Sequence, residues 1–510
     1  MTARAAMPSP ALLTPAAPSR SHEAALAAIG AVGLAAALIA VGSHHEAWFD
    51  EAQAWLLARD STLTDLLRER LHYEGSPGLW HAVLWLASHA GYPFAALWLI
   101  SSAIAVSSAF LILRAAPFPV WLRFGIIGSY FFAYQYSVVA RSYALDLLLV
   151  PLAACLFPQR ATRPLPYAIV LGLLANTNAH SFLVAGTLCA ETLLLGLRAG
   201  AWRQPAFLSS MVVFALCALS AILQAWPAPD VSFGAAGIHF DRADRLLSEA
   251  FVGGVPFGTL DVPVLVQRLA GLLILLPSLV LFHRAGTFSL VGALILSLMV
   301  FSAVQHANLW HSGFLFLVWI FGLWISWPTL NAGSRTLRRL VLASVASLVL
   351  LQDVQTAAAW IREVREPYSS GREAAALVRA ARERDPAARV AAIGFKAFSI
   401  QPWFPHNVFA NYVGGASNPA FYLWDRRQRF SPRVELDSFR AALAGGYDLI
   451  VLSTDLPPGL DLDAYKAAGS EEGYCVTANI PGHLIWKTDR VEDDGILLFE
   501  RCRSAHDADG

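Results

Sequence analysis

An acidic pair, Asp50-Glu51, follows the first long apolar run of this chain. Glu74, Arg141, His180 and His311 stand at the ends of later runs. Carboxylates at the edge of a bilayer are costly and mark functional sites by default. Neighbouring helical residues point about 100° apart. Only one of the pair therefore reaches a reacting centre. Asp50 is the expected general base, and Glu51 either shares that role or caps a helix and binds a cation. The plain alternative is two solvated acids at a helix start. A guanidinium is the best side chain for gripping a phosphate through two hydrogen bonds. Arg141, in Ala140-Arg141-Ser142-Tyr143, is the first candidate for that task. Its alternative is an internal ion pair with Asp50 or Asp146. His180 and His311 stand behind it as further phosphate contacts, or as hydrogen-bonded core groups. His306 and His311 bracket Trp310. No histidine pair has the i, i+4 spacing of familiar zinc motifs, so neither a metal nor another cofactor is assigned.

These residues must be positioned by a very apolar chain. Its 510 residues are 56% hydrophobic and 15% charged, against about 25% charged in a soluble domain. The formal net charge is zero, which gives nucleic acid no electrostatic footprint. Five cysteines in this length make no disulfide framework.

The first apolar run, Ala24–Ser43, is long enough to cross a ~30 Å hydrocarbon core. Residues 1–23 read as a disordered cytoplasmic tail. The run lacks a small-residue cleavage site, which favours a retained anchor over a signal peptide. Further runs lie at Leu79–Ala90, Phe94–Leu113, Val120–Val139, Tyr143–Phe157, Tyr167–Thr177, Phe182–Leu197, Phe207–Trp226, Val264–Phe282, Phe288–Val304, Phe314–Trp327 and Leu340–Val354. Arginines mark every second loop, at 114 and 123, 160 and 163, 198 and 203, 284, and 335–339. The positive-inside rule puts those loops in the cytoplasm. Leu79–Ala90 is short, is followed by Gly91 and Pro93, and reads as a half-helix. About eleven crossings result over residues 24–358, with an outer loop at 44–78. Gly75 and Gly78 permit a tight turn there, and Pro77 suits a helix start.

The character changes near Trp360. Residues 359–510 read as a soluble extracytoplasmic α/β domain. Arg372–Arg384 suggests an amphipathic helix, and Val390–Gly394, Leu449–Ser453 and Ile496–Phe499 suggest buried strands. Cys475 and Cys502 flank strand-like runs, and an oxidising compartment would let them pair; two free thiols are the alternative.

Four local patterns give the chain a resemblance. Asp50-Glu51 resembles the acidic pair of the first outer loop in membrane glycosyltransferases of the GT-C fold. Tyr73-Glu74-Gly75-Ser76-Pro77-Gly78-Leu79-Trp80 is similar to the Glu-x-His-Pro-Pro-Leu entry to their second span. Ala140–Leu145 resembles an Ala-Arg-Pro-Tyr/Asp-Ala-Leu motif, and Thr177–His180 resembles a Thr-His helix end. The nearest kin are family 39-type enzymes, such as protein O-mannosyltransferases and the aminoarabinose transferases of lipid A. The resemblance covers roughly Ala24–Val354. Ser76, Gly78 and Ser142 depart from the pattern, and Tyr143 stands where many relatives carry an acid.

The resemblance implies a multi-pass protein of the bacterial inner membrane. It would move a sugar from a polyprenyl-phosphate donor, with inversion, to an extracytoplasmic glycan, lipid or protein. Asp50 and Glu51 would be catalytic. Arg141, His180 and His311 would bind the donor phosphate. Tyr73, Glu74, Tyr143 and Trp310 would contact substrate. Two other classes fit a polytopic chain. A transporter or flippase should carry charges in mid-span, where Asp146 and Glu191 stand out. A non-catalytic scaffold would need no acids and arginine converging on one place.

Overall fold

The computed structural model describes residues 20–232, 237–253, 264–305, 308–412, 419–426, 430–457 and 459–502. The chain starts with α1 (Arg20–Gly42) and lays down three short helices, α2 (Phe49–Arg59), α3 (Leu63–Arg68) and α4 (Leu79–His89). There follow α5 (Trp98–Ala115), α6 (Val120–Gly128), α7 (Tyr143–Leu156), α8 (Pro164–Ala175), α9 (Ala179–Arg198) and α10 (Pro205–Ala225). After the amphipathic α11 (Phe240–Phe251), helices α12 (Val264–Arg284), α13 (Phe288–Val304), α14 (Gly313–Ala332) and α15 (Arg335–Arg365) complete the bundle.

Among the described residues, six helical segments are long and apolar enough to cross a bilayer: Glu23–Gly42, Phe94–Ala115, Ala179–Arg198, Pro205–Ala225, Leu309–Ala332 and Arg335–Arg365. Four shorter apolar helices accompany them, at Tyr143–Gln159, Pro164–Ala175, Leu269–Arg284 and Phe288–Val304. The protein is thus a helical, membrane-embedded chain, but the expected eleven full crossings are not what its helices show. The run Val120–Val139 illustrates why. It is not one helix: α6 stops at Gly128, Ser129 is extended, and a single π-helical turn occupies Phe131–Gln135. Freed carbonyls in a membrane need partners. Thr356 Oγ1 donates to the Gly128 carbonyl at 2.7 Å, and Trp360 Nε1 to that of Ala133 at 2.9 Å. Hydropathy registers the apolar residues and not the break. The expected half-helix is α4, 11 residues and about 16 Å long at 1.5 Å per residue. It starts at Leu79 with Gly78 as its cap, so Pro77 precedes the helix and is not in its first turn. Gly75, at φ 65°, makes the turn before it.

Helix α15 runs on to Arg365, past the expected boundary at 358. Beyond it lie α16 (Gly371–Arg384), β1 (Val390–Ile393), a long 3-10 segment (Phe395–Trp403), α17 (Leu436–Ala444), β2 (Leu449–Ser453), α18 (Leu462–Glu471) and β3 (Tyr474–Ile480). A hairpin of β4 (His483–Trp486) and β5 (Asp489–Asp493) precedes the last strand, β6 (Ile496–Arg501). Sheet order is β1-β2-β6-β3, with β1 and β2 parallel and β6 antiparallel to both its neighbours. Cys475 and Cys502 are bridged across the β3–β6 pair, with Cα atoms 5.1 Å apart. Reducing the bridge, or Cys475→Ser with Cys502→Ser, is expected to lower stability by roughly 3–4 kcal/mol for a loop of this size. Denaturant unfolding with and without reductant checks it; superposable curves would contradict the expectation.

The β4–β5 hairpin leaves the sheet and enters the helical bundle. Trp486 packs on Tyr130 and Phe131, with ring centroids 5.3 and 6.0 Å apart. Lys487, fully buried, donates from its backbone N–H to Tyr130 Oη at 2.9 Å. Its Nζ donates to the carbonyls of Glu249 and Gly253, each at 2.6 Å, at the end of α11. Gln352 and Gln355 of α15 donate to the carbonyls of Ala250 and Gly253 at 3.0 and 2.9 Å. Other elements thus satisfy the carbonyls of Glu249 and Ala250 in the last turn of α11, and that of Gly253 just beyond it.

Candidate functional site

Helix α2 carries the acidic pair and lies at the end of the bundle that bears the C-terminal domain. Its helical geometry sends Asp50 and Glu51 to different places. Glu51 is fully buried. It accepts from the N–H of Trp48 at 3.2 Å, closing a capping interaction at the start of α2, and from the N–H of Ala140 at 2.6 Å. His45 Nε2 meets it at 3.0 Å, while His45 Nδ1 meets Glu363 of α15 at 2.9 Å. Tyr134 Oη completes the cluster by donating to Glu363 at 2.6 Å. Burial alone would lower the His45 pKa, but Glu51 and Glu363 outweigh it and hold the ring up at about 10. His45 is therefore a cation clamped between two buried carboxylates.

Asp50 points elsewhere. It is ion-paired with Arg141. The side chains are 28% and 23% exposed, so a ligand can reach both. This is the internal pair that the sequence offered as the alternative for Arg141, with Asp50 and not Asp146 as partner. The guanidinium also lies over Trp48 and Tyr143, 5.9 and 5.6 Å from their ring centroids, which adds cation–π attraction. Burial opposes its charge, and Asp50 more than restores it, raising the pKa above the ordinary value.

Glu74 comes to the same place along α2. Gln53, one turn after Asp50, donates to Glu74 Oε1 at 2.9 Å. It also exchanges two hydrogen bonds of 2.8 Å with the backbone of Tyr422 in the C-terminal domain. Burial pushes the Glu74 pKa up; the Gln53 hydrogen bond opposes this, and the nearby Asp50 adds to it, so that it reaches about 8. Glu74 therefore holds a proton more readily than an ordinary carboxylate does. Asp50, Glu74 and Arg141 thus share one locality. Tyr73 faces Asp230, its Oη donating at 2.8 Å.

On the other side of Arg141, His311 Nε2 and Tyr143 Oη are 2.9 Å apart. The Asn308 N–H donates to His311 Nδ1 at 3.0 Å. That bond assigns the proton of a neutral ring to Nε2, which donates to Tyr143. His180 lies beside His311, ring centroids 4.4 Å apart, and stacks on Phe314 at 4.7 Å. Trp310 packs edge-on against Trp48 at 5.4 Å. Asp50, Glu74, Arg141 and Tyr143 therefore lie together, with Trp310 against Trp48 beside them and Tyr73 turned towards Asp230. Glu51 is sealed inside, while His180 and His311 reach Arg141 only through Tyr143. His306 lies outside the described residues. Among the described residues, no cluster of three His, Cys, Asp or Glu side chains could hold a metal ion.

Of the two acids expected in mid-span, Asp146 accepts hydrogen bonds from Thr177, Asn178 and Ser181 at 2.9, 2.7 and 2.7 Å, tying α7 to α9. Glu191 pairs with Arg160 at 2.9 Å. Sequence reasoning missed a third, Asp353 of α15. Its Oδ1 is buried without a hydrogen-bond partner among the described residues, and lies 3.2 Å from where a Cβ on Gly128 would sit. It also missed His45, Gln53 and Glu363. A polar Gln three residues after Asp50, in an otherwise apolar turn, was the one local signal.

Comparison with protein-family models gives no match, and comparison with curated proteins gives none.

Proposed function

We propose that the protein is a membrane glycosyltransferase that uses a polyprenyl-phosphate sugar and inverts the anomeric carbon. The observation that carries this reading is the reachable Asp50–Arg141 pair, with Glu74 beside it through Gln53. The donor phosphate competes with Asp50 for Arg141, in bidentate contact. Asp50, released, accepts the proton of the acceptor hydroxyl or amine as that atom attacks the anomeric carbon. The bond from that carbon to the phosphate oxygen breaks, and the phosphate leaves with the electron pair. Arg141 stabilises its growing charge. Glu74, Tyr73, Tyr143 and Trp310 orient the sugar, and His311 and His180 support Tyr143. Apolar helix surfaces hold the lipid tail.

Transfer of labelled sugar from polyprenyl-phosphate donors by the purified protein tests the reading. Arg141→Ala is expected to weaken donor binding and to slow turnover by at least tenfold each, because a phosphate contact acts in both the bound and transition states. A change in rate with unaltered donor affinity would remove Arg141 from the phosphate site.

By the charge bias of the loops, the Arg335–Arg339 end of α15 faces the cytoplasm and the C-terminal domain faces outward from a bacterial inner membrane. Protease added to intact spheroplasts should cut within residues 368–502; a protected domain would invert the topology.

Transport is the second reading, and Asp353 is what favours it, since an incompletely bonded acid between helices is a recognised mark of an ion path. Solute uptake lost in Asp353→Asn, with no transfer from any lipid-phosphate sugar, would put it first.

A further inference from the structure

The C-terminal domain carries a second constellation that the transfer centre does not use. Helix α16 presents Arg372, Arg379 and Arg382 at spacings of seven and three residues, which places them along one side. They face the end of the 3-10 segment, where Trp403 and Phe404 emerge. Arg379 donates to the Trp403 carbonyl at 3.0 Å and lies over the Phe404 ring at 5.6 Å. The Arg372 guanidinium lies 5.9 Å from the Trp403 ring centroid. Between Arg379, Arg382 and these aromatic residues is an open groove of about 280 Å³, with Glu383 as its one carboxylate, against two guanidinium groups. Arg384 of the same helix is neutralised by Glu500 at 3.1 Å. No ion pair forms at Arg372, Arg379 or Arg382 among the described residues.

The groove has a direction. Trp403 also lines a narrow cleft of about 30 Å³ with Arg372 and Glu46. That cleft is bounded by Ser43, at the end of α1, and by Trp98, at the start of α5. It is wide enough for water alone. His45 and Ala47 line it too, and they belong to the segment that leads into α2 and Asp50. The open groove therefore lies on the domain, and Trp403 separates it from a cleft at the start of the segment that leads to Asp50.

We propose that this groove binds a saccharide carrying carboxylate or phosphate groups, as the acceptor side of the transfer reaction. The inference rests on the proposed transferase reading. Guanidinium forks match planar anions, and an indole face offers an apolar platform to a sugar ring. A bare phospholipid surface would use the arginines but not a platform set between the domain's own elements. A neutral glycan would use the platform but not the guanidinium groups of Arg379 and Arg382.

The test is calorimetric binding to the full chain in phosphatidylcholine nanodiscs. The probe is trigalacturonate, with maltotriose as its neutral counterpart. Trigalacturonate should bind at least tenfold more tightly than maltotriose. The double variant Arg379→Gln, Arg382→Gln should weaken trigalacturonate at least tenfold and leave maltotriose unchanged; both changes are on the domain surface, and a retained melting temperature shows that the fold is intact. Equal binding of the two sugars, or indifference to the double variant, overturns the proposal. Loss of trigalacturonate binding when phosphatidylglycerol replaces part of the lipid does so too, because it assigns the groove to a lipid headgroup. Asp50→Asn separates the two readings. It should bind trigalacturonate as the wild type does while failing to transfer sugar; absence of transfer from any lipid-phosphate sugar by the wild type would sink the transferase reading and leave the groove measurement standing.

Discussion

Asp50→Asn is expected to lower sugar transfer by roughly 10²–10⁴-fold, the range for removing a positioned general base. Donor affinity should not fall with it. In the resting protein Asp50 occupies the guanidinium that the phosphate needs. An amide releases Arg141 from that competition, so the variant should bind donor as well as the wild type or better. A drop in kcat together with an unchanged or lower donor KM is the signature of a group used in the transition state and in the way before it. Near-normal turnover would move the base role. Glu51 is then a poor successor, because it is buried and committed to His45 and to two backbone N–H groups. Glu74 would be the next residue to change.

The second large effect is on stability. His45→Ala removes the cation between Glu51 and Glu363 and leaves two buried carboxylates facing each other across the gap. Breaking a buried pair in this way costs about 3–5 kcal/mol. The sign of its pH dependence follows from the raised pKa. In the unfolded chain an imidazole titrates near 6.5, and in the fold His45 titrates at about 10. Its stabilising contribution is therefore complete below about pH 6.5 and is lost as pH rises through 10. The stability difference between the wild type and His45→Gln should be largest in mild acid and should shrink steadily towards pH 10. Comparing the two proteins cancels the titration of other groups. A difference that stays constant from pH 6 to pH 10 would show that His45 is not held as a cation.

Much of the candidate site was legible because its residue types are out of place in apolar surroundings. Asp50, Glu74 and Arg141 stood out against the runs beside them, and the 100° offset of adjacent helical residues already limited Asp50 and Glu51 to one reacting acid. What joins them was not legible. His45 meets Glu363 across 318 residues of sequence, and Gln53 meets Tyr422 across 369. No local pattern encodes such distances. The strands β1, β2 and β6 were readable as short buried apolar runs. The β4–β5 hairpin was not, since β5 (Asp489–Asp493) is polar and pairs only with β4. The number of crossings failed for a different reason. The hydropathy of Val120–Val139 is continuous, while its backbone breaks at Ser129, where neighbouring side chains satisfy the carbonyls.

The buried tip of that hairpin bears on how the molecule can move. Trp486 and Lys487 act as a peg in a socket, held on one side by Tyr130 and on the other by the end of α11. Swinging the C-terminal domain away from the bundle would strip three hydrogen bonds from Lys487 and uncover an indole at the same moment. The domain is consequently not a lid on a hinge, and in the proposed transferase reading a long-chain donor would enter sideways, between helices. The same peg sets a practical limit. A fragment beginning near residue 368, made without the bundle, would present the tip to water with none of its partners, and it should be sticky and poorly folded where the full chain is not.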